Sequence, residues 1–341
     1  MDPVRIVVVD PGEIETRAAS FGPQLELIAH LSLESAAAPR PDRSLAAGRE
    51  PLALAGDSAL LAHSRTLEKL QALLASALFS LCEGGERLAL ALVADPGEKA
   101  DRLAEIEELW DDESVALSGT DPALPGARLT KRVSLCVRTI CAGEAFLDQA
   151  IALGFLGEGG DRARAVIALD LGHRATRLYV LDADSGVTDL EILPHGGQSF
   201  LAHARRFAAE RAVAVDDARL LREIAAGGFA LSLGGLTLPT RRLFELPREE
   251  LEKALAAGIA SRLRRIAESG GRIPSSLLLA PVAARALDGP RLARRLAERG
   301  FPLEQVATFP DDPPPLIGGG LTAALRYLAP SASGDARPCV R

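Results

Sequence analysis

The sequence is poor in the residues that mark several common classes of protein. Aromatic residues make up 4% of its 341 residues, so its core has to be built from Leu, Val, Ile and Ala. None of its four cysteines (Cys82, Cys136, Cys141 and Cys339) forms a C-x-x-C pair, and its five histidines are scattered. This pattern argues against a zinc site and predicts that the thiols are buried in the core.

Positive charge is also in deficit. The formal net charge of −7 disfavours a general nucleic-acid binder, because phosphate neutralisation requires a surplus of Lys and Arg. We interpret the arginine clusters at 262–265 and 291–296, which lie among glutamates on predicted helices, as solvated helix faces. No run approaches the roughly 18 apolar residues of a membrane span, and no basic, apolar leader follows Met1. We therefore expect a cytoplasmic protein without a membrane span.

The sequence does contain a strand–turn–strand pattern that occurs twice, 160 residues apart. Continuous apolar runs at 4–10 and 165–170 predict buried strands, and each run ends in an aspartate. The shared residues are, in order, Asp10, Gly12, Thr16 and Arg17 in the first copy and Asp170, Gly172, Thr176 and Arg177 in the second. A return strand and a third strand are predicted after each turn. The repeat therefore predicts a duplicated α/β fold.

The remaining pattern alternates helices with strands. The predicted helices are 65–82, 98–110, 142–155, 248–269 and 318–329, with a further helix that opens at Gly196 and Gly197. The third strand of the first copy is predicted at 25–35, and the strands outside the repeat include 87–96, 127–138 and one that begins at 275. The prolines of 310–315 are expected to prevent a helix before the glycines at 318–320. We predict one domain at 1–153, with a helix at about 316–330 that packs back on it, a second at 154–315, and a disordered tail at 331–341.

The repeated turn suits phosphate chemistry. A glycine after a buried strand allows a tight turn with positive φ, and the backbone N–H groups of such a turn can bind phosphate oxygens. The aspartate at the strand end can hold Mg²⁺ directly or through water. Two such turns can clamp a polyphosphate between two domains. The alternative, that both are ordinary hairpins, stays open.

Taken in order, these motifs resemble the superfamily of actin, sugar kinases and heat-shock-chaperone ATPases, and most of all its bacterial actins of the MreB and ParM type. The segments that carry the resemblance are the two hairpins, AGDSALLAHS at 55–64, AGEAFLDQAIALG at 142–154, GGQSF at 196–200 and PDDPPPLIGGGLTAALRYL at 310–328. The resemblance implies two ribonuclease-H-like domains that flank a nucleotide cleft, a weak ATPase activity, and assembly into filaments.

The resemblance also implies a role for individual residues. ATP or ADP with Mg²⁺ would be the cofactor, and the metal would lie at Asp10 and Asp170. Glu144 would orient the attacking water. The nucleotide contacts would come from Gly12, Thr16, Arg17, Gly172, Arg174, Thr176, Gly196 and Gly197 for the phosphates and from Ala280 and Pro281 for the adenosine.

Three differences from the family pattern favour a second hypothesis, a degenerate actin-fold scaffold with weak or no hydrolysis. Pro11 lies in the first turn, His173 and Arg174 lie in the second, and Leu279-Ala280-Pro281 replaces the glycines of the adenosine motif. A third hypothesis is a small-molecule kinase of the same superfamily. Its one candidate catalytic carboxylate is Asp148, which the pattern equally predicts as a surface residue.

Overall fold

The computed structural model describes residues 5–11, 15–34, 52–53, 67–95, 98–111, 113–120, 128–157, 165–210, 230–233, 236–239 and 241–328. The chain forms two compact units. Unit 1 comprises Met1–Gln149 with Pro315–Arg341, and unit 2 comprises Ala150–Pro314. These divisions fall beside the predicted ones at 153/154 and about 315/316. Within the described residues, no helix has the length and apolar character needed to cross a membrane.

Unit 1 is built on a seven-stranded sheet with the order β3-β2-β1-β5-β7-β6-β4. Its strands are β1 (Arg5–Pro11), β2 (Glu15–Phe21), β3 (Leu27–Glu34), β4 (Leu52–Ala53), β5 (Arg87–Ala94), β6 (Ser114–Thr120) and β7 (Arg128–Cys141). Its helices are α1 (Leu67–Leu81), α2 (Glu98–Trp110), α3 (Ala142–Ala152), which continues into unit 2, and the returning α8 (Pro315–Leu328). The first three strands are antiparallel to their neighbours in the hairpins, and β1, β5 and β7 are parallel.

Unit 2 is built on a five-stranded sheet with the order β10-β9-β8-β13-β14 and a separate hairpin of β11 and β12. The strands are β8 (Ala165–Leu171), β9 (Thr176–Asp182), β10 (Gly186–Leu193), β11 (Ala230–Leu233), β12 (Leu236–Pro239), β13 (Ser276–Leu279) and β14 (Gln305–Thr308). The helices are α4 (Gln198–Ala209), α5 (Arg241–Glu268), α6 (Pro281–Ala286) and α7 (Gly289–Ala297). Five strands of unit 1 have the same order and direction as this sheet.

The ladders show that the repeat is a structural duplication. Across β1 and β2, Asp10 faces Arg17 and Pro11 faces Thr16. Across β8 and β9, the residues 160 positions later face each other in the same register. The third strands share even their irregularity, because the ladder leaves out Ile28 in unit 1 and Thr188 in unit 2. Matching bulges at matching positions are not expected of two unrelated hairpins.

Both faces of the unit 1 sheet are covered, which explains why β1 is a continuous apolar run and does not alternate. Val7 and Val9 point into a core that is filled by α1, α2 and the fully buried Trp110. Val8 and Val93 lie on the opposite face, where α8 packs against them through Gly320. The sequence pattern therefore predicts burial of the strand, while the identity of the covering helices comes from the structure.

Unit 2 holds its helices α5 and α7 together with a buried ion pair. The carboxylate of Glu252 is fully buried and accepts hydrogen bonds from the Asp288 backbone N–H (2.7 Å) and from the Arg291 guanidinium (Nη2–Oε1, 3.1 Å). The nearby carboxylate raises the pKa of Arg291, chiefly through this hydrogen bond. The interpretation of the 291–296 arginines as a solvated face is thus wrong for Arg291.

Some element boundaries differ from those the sequence predicts. Helix α8 begins at Pro315, inside the proline-rich connector, because a proline in the first helical turn costs no intrahelical hydrogen bond. Helix α5 begins at Arg241 and runs through Pro247. No strand was predicted for β6, β11, β12 or β14, and three of these four have only four residues, too few to show a hydrophobic period.

Candidate functional site

The second hairpin turn, residues 172–175, is fixed by its own backbone. Gly172 donates its N–H to the carbonyl of Ala175 at 3.0 Å. A Cβ atom on Gly172 would lie 2.8 Å from that carbonyl oxygen and 3.0 Å from Nη1 of Arg177. Glycine is therefore required for room, and not for the positive φ expected from the sequence, because the φ of Gly172 lies outside the left-handed region.

The predicted Gly-Gly motif packs directly against this turn. Gly197 donates its N–H to the Gly172 carbonyl at 3.0 Å, and Gln198 donates to the His173 carbonyl at 2.8 Å. A Cβ atom on Gly196 would lie 2.6 Å from the His173 oxygen and 2.7 Å from the Gly172 oxygen. The start of α4 is thus locked onto the hairpin, and these two amides serve protein carbonyls.

Thr176 reinforces the same contact. Its side chain is fully buried, and its hydroxyl donates to the His195 carbonyl at 2.6 Å. Thr16, at the equivalent position of the first hairpin, is also fully buried. The Thr176 hydroxyl thus ties the second hairpin to the segment that precedes α4. Gly12 lies outside the described residues.

Each of the two aspartates has an arginine directly opposite. Nη1 of Arg177 lies 4.0 Å from Oδ2 of Asp170, with both side chains partly buried, at 27% and 22% exposure. Arg17 faces Asp10 in the same register. At an effective dielectric constant of about 20, unit charges about 4 Å apart attract by about 4 kcal/mol, and the same guanidinium would repel a dication bound to the carboxylate. The residues present therefore fit a resident Mg²⁺ poorly.

The segment that stands in place of the adenosine glycines lies one strand away from Asp170. Leu279 pairs with Leu169, so Ala280 follows β13 beside the end of β8. The Ala280 N–H donates to the Leu169 carbonyl at 2.9 Å, and Pro281 has no N–H and occupies the first turn of α6. Both residues are buried. Any contact with a base here would thus be made by apolar side-chain atoms or by carbonyls.

Helix α3 carries the two remaining candidates, Glu144 and Asp148, one turn apart. Glu144 is half-buried in the first turn. Asp148 is only 8% exposed and forms an ion pair with Arg326 of α8, so the prediction of a surface residue is wrong. Burial raises the pKa of the Asp148 carboxyl to about 6; the charge of Arg326 opposes the rise, and that of Glu144 adds to it. The one candidate carboxylate for the kinase hypothesis is therefore buried in an ion pair with Arg326.

Arg177 is the functional candidate that sequence reasoning missed. The sequence pattern identifies it as a member of the repeat, and the family resemblance implies a phosphate contact only for Arg17 at the equivalent position. The available signal was the repeat itself, because two residues at the same position of a duplicated hairpin occupy the same place in its register.

The sequence matches no protein-family model and no curated protein. Solved structures do match over almost the whole chain. The archaeal actin homolog Ta0583 is 17% identical with a TM-score of 0.68, and its complex with ADP is 16% identical with the same score; each alignment covers 94% of this chain and 99% of that chain. A 15-stranded ParM filament from Clostridium botulinum matches with 12% identity and a TM-score of 0.59, over 95% and 99% of the two chains. The chain thus has the actin-like fold, and the predicted fold class and resemblance are confirmed at that level.

Proposed function

We propose that this protein is an actin-like cytoskeletal protein of the cytoplasm, of the bacterial actin type, that binds ATP or ADP and assembles into filaments. The observation that carries the proposal is the pair of Asp-x-Gly hairpins, one in each unit, that share register, sheet position and bulge. Two proteins of similar fold add support, since Ta0583 was solved in complex with ADP and ParM as a filament.

In this proposal the second hairpin is the phosphate-binding element of unit 2. Gly172 leaves room for the Ala175 carbonyl and the Arg177 guanidinium, the start of α4 donates hydrogen bonds to the turn, and Arg174 and Arg177 supply positive charge. Glu144 is proposed to orient water for a slow hydrolysis. Mg²⁺ enters as the counter-ion of the nucleotide itself, and no step of the proposal requires it as a ligand of Asp10 or Asp170.

Isothermal titration calorimetry with ADP and ATP tests nucleotide binding. We expect saturable binding by the full chain and at least a tenfold weaker affinity for Gly172→Val, whose side chain would collide with Ala175 and Arg177. Gly84→Ala is the matched control, because a Cβ atom there meets Lys131 only at ordinary contact distance, 3.7 Å. Absence of binding at millimolar concentrations of either nucleotide would refute the proposal.

Sedimentation and negative-stain electron microscopy test assembly. We expect pelletable filaments with ATP and a smaller pellet with ADP, as a nucleotide-dependent polymer requires. A wild-type protein that remains monomeric at high concentration with either nucleotide would refute the assembly part while leaving nucleotide binding intact.

A second candidate, an actin-fold scaffold that does not use nucleotide, is favoured by a specific observation. The amides of Gly197, Gln198 and Ala280 donate to protein carbonyls, and Pro281 has none to offer. Filaments that form equally with and without nucleotide, together with no phosphate release above that of Glu144→Ala, would favour this candidate. Phosphate release that Glu144→Ala abolishes would exclude it.

A further inference from the structure

We infer that arginines of the protein, and not a divalent cation held by its aspartates, neutralise the nucleotide phosphates at the Asp-x-Gly hairpins. The residues concerned are Arg177 in unit 2 and its repeat, Arg17, in unit 1. The inference rests on the proposed function, because it describes how the same hairpins hold the same ligand.

The position of Arg177 is the first observation. Its Nη1 atom lies 4.0 Å from Oδ2 of Asp170 and 3.0 Å from where a Cβ atom of Gly172 would lie. The guanidinium thus lies over the turn, in the space that the glycine leaves open. An anion bound at this turn would therefore lie beside the guanidinium.

The chemistry of the donors is the second observation. Mg²⁺ requires near-octahedral oxygen coordination and is bound by carboxylates that can turn their oxygens toward it. Here the carboxylate of Asp170 faces a cation of the protein. In the part of the chain that the structure describes, no group of three or more His, Cys, Asp or Glu residues could hold a metal. A guanidinium, by contrast, presents a planar fork of N–H donors that matches phosphate oxygens.

The duplication is the third observation. Arg17 faces Asp10 in the register in which Arg177 faces Asp170. Each hairpin thus has an aspartate with an arginine directly opposite in the ladder, so the two arginines hold the same position in the repeat.

Calorimetric titration of ADP and ATP into the full chain, in Mg²⁺ and in EDTA, tests the inference. For the wild type we expect dissociation constants that agree within about threefold between the two conditions. Arg177→Met should weaken binding in EDTA at least tenfold, and Arg177→Lys should recover part of the loss. Arg264→Met is the matched control, because Arg264 is an exposed arginine on α5. Melting curves verify that each variant is folded.

Asp170→Asn separates the two ways of neutralising phosphate. If the guanidinium binds the phosphate, this variant keeps or improves its affinity in EDTA, because it loses a negative charge and releases the arginine. If Asp170 is a metal ligand, the variant loses the Mg²⁺-dependent part of the affinity. Wild-type binding that falls more than tenfold in EDTA, with Arg177→Met equal to wild type, would overturn the inference and leave the proposed function standing. Absence of any nucleotide binding would overturn both.

Discussion

The three consecutive glycines of α8 provide a test of the fold in which each substitution adds one methyl group. Helix α8 lies on α3 and on the sheet of unit 1, and Gly318, Gly319 and Gly320 face different neighbours. In a helix interior, Gly→Ala by itself stabilises by about 1 kcal/mol, because alanine loses less backbone entropy on folding. The sign of each substitution is therefore set by what the new methyl group meets.

At Gly319 the methyl group would meet backbone. It would lie 2.8 Å from Cα of Ala145 and closer still to the carbonyl of that residue, so helix α3 itself would have to move. At Gly320 it would meet Val8 and Val93 at 2.8 and 2.9 Å, side chains that are stiff and buried. At Gly318 it would meet the end of the Gln149 side chain, at 2.6 Å from Oε1, which can turn aside.

Overpacking typically costs about 1–3 kcal/mol, and more where backbone must shift. After the helical gain of about 1 kcal/mol, we expect Gly318→Ala to change the free energy of unfolding by less than about 1 kcal/mol. Gly320→Ala should lose about 1–2 kcal/mol and Gly319→Ala about 2–4 kcal/mol.

Urea denaturation followed by tryptophan fluorescence measures the free energy of unfolding of unit 1. Trp110 is the single tryptophan of the chain and lies fully buried in the core of unit 1, which also contains α8. A Gly319→Ala variant that unfolds at the same urea concentration as Gly318→Ala, or at a higher one, would refute the close approach of α8 to α3 on which the argument depends.

Three further predictions follow from contacts described above. Arg291→Met should destabilise unit 2 by about 3–5 kcal/mol because it leaves Glu252 buried without its cation, and adding Glu252→Met should recover much of the loss, as measured by urea unfolding with circular dichroism. Gly196→Ala should speed hydrogen exchange at the amides of Gly197 and Gln198, because its Cβ would meet the carbonyls of the hairpin turn. The stability of unit 1 should fall as pH rises from about 4 to above 6, and Asp148→Asn should remove this fall and add up to about 3 kcal/mol at neutral pH.

The sign of the pH effect follows from the raised pKa of Asp148. A carboxyl that binds its proton more tightly in the folded state stabilises the fold while it is protonated, and the contribution is lost as pH rises through the folded pKa of about 6. Urea unfolding that shows the same pH slope for wild type and Asp148→Asn would contradict this reasoning. The prediction for the ion pair would be contradicted if the free energy of unfolding of Arg291→Met lay within about 1 kcal/mol of that of the wild type. The prediction for Gly196→Ala would be contradicted by unchanged hydrogen exchange at the Gly197 and Gln198 amides.

Hydrophobic runs and turn residues in the sequence were sufficient to predict most strands of the two sheets and most helices of the two units. Helix α2 matches its predicted bounds at 98–110, and β5 begins at the predicted residue, 87. The repeat of Asp, Gly, Thr and Arg indicated a duplicated hairpin, because an apolar run followed by a glycine turn constrains the backbone locally. The resemblance of the ordered motifs then predicted the actin-like fold, which no single motif could have done.

What the sequence could not give is which group each polar residue faces. Asp148 follows Glu144 by one helical turn whether it is exposed or buried, and only the return of α8 from the far end of the chain places Arg326 beside it. The double glycine at 196–197 is typical of a phosphate motif. In the structure, however, the Gly197 amide donates its hydrogen bond to the Gly172 carbonyl of the hairpin turn.

For the aspartates of the two hairpins, too, the sequence determines one part of their environment and the tertiary structure determines another. The sequence by itself determined that each buried strand ends in Asp-x-Gly, because strand burial and turn formation depend on neighbours along the chain. Only the tertiary structure decided that the carboxylate of Asp170 faces the guanidinium of Arg177 at 4.0 Å, because that distance depends on the register of two paired strands. The turn of this hairpin sets the register, and the two side chains on the paired strands then form an ion pair that the order of residues in the sequence does not show.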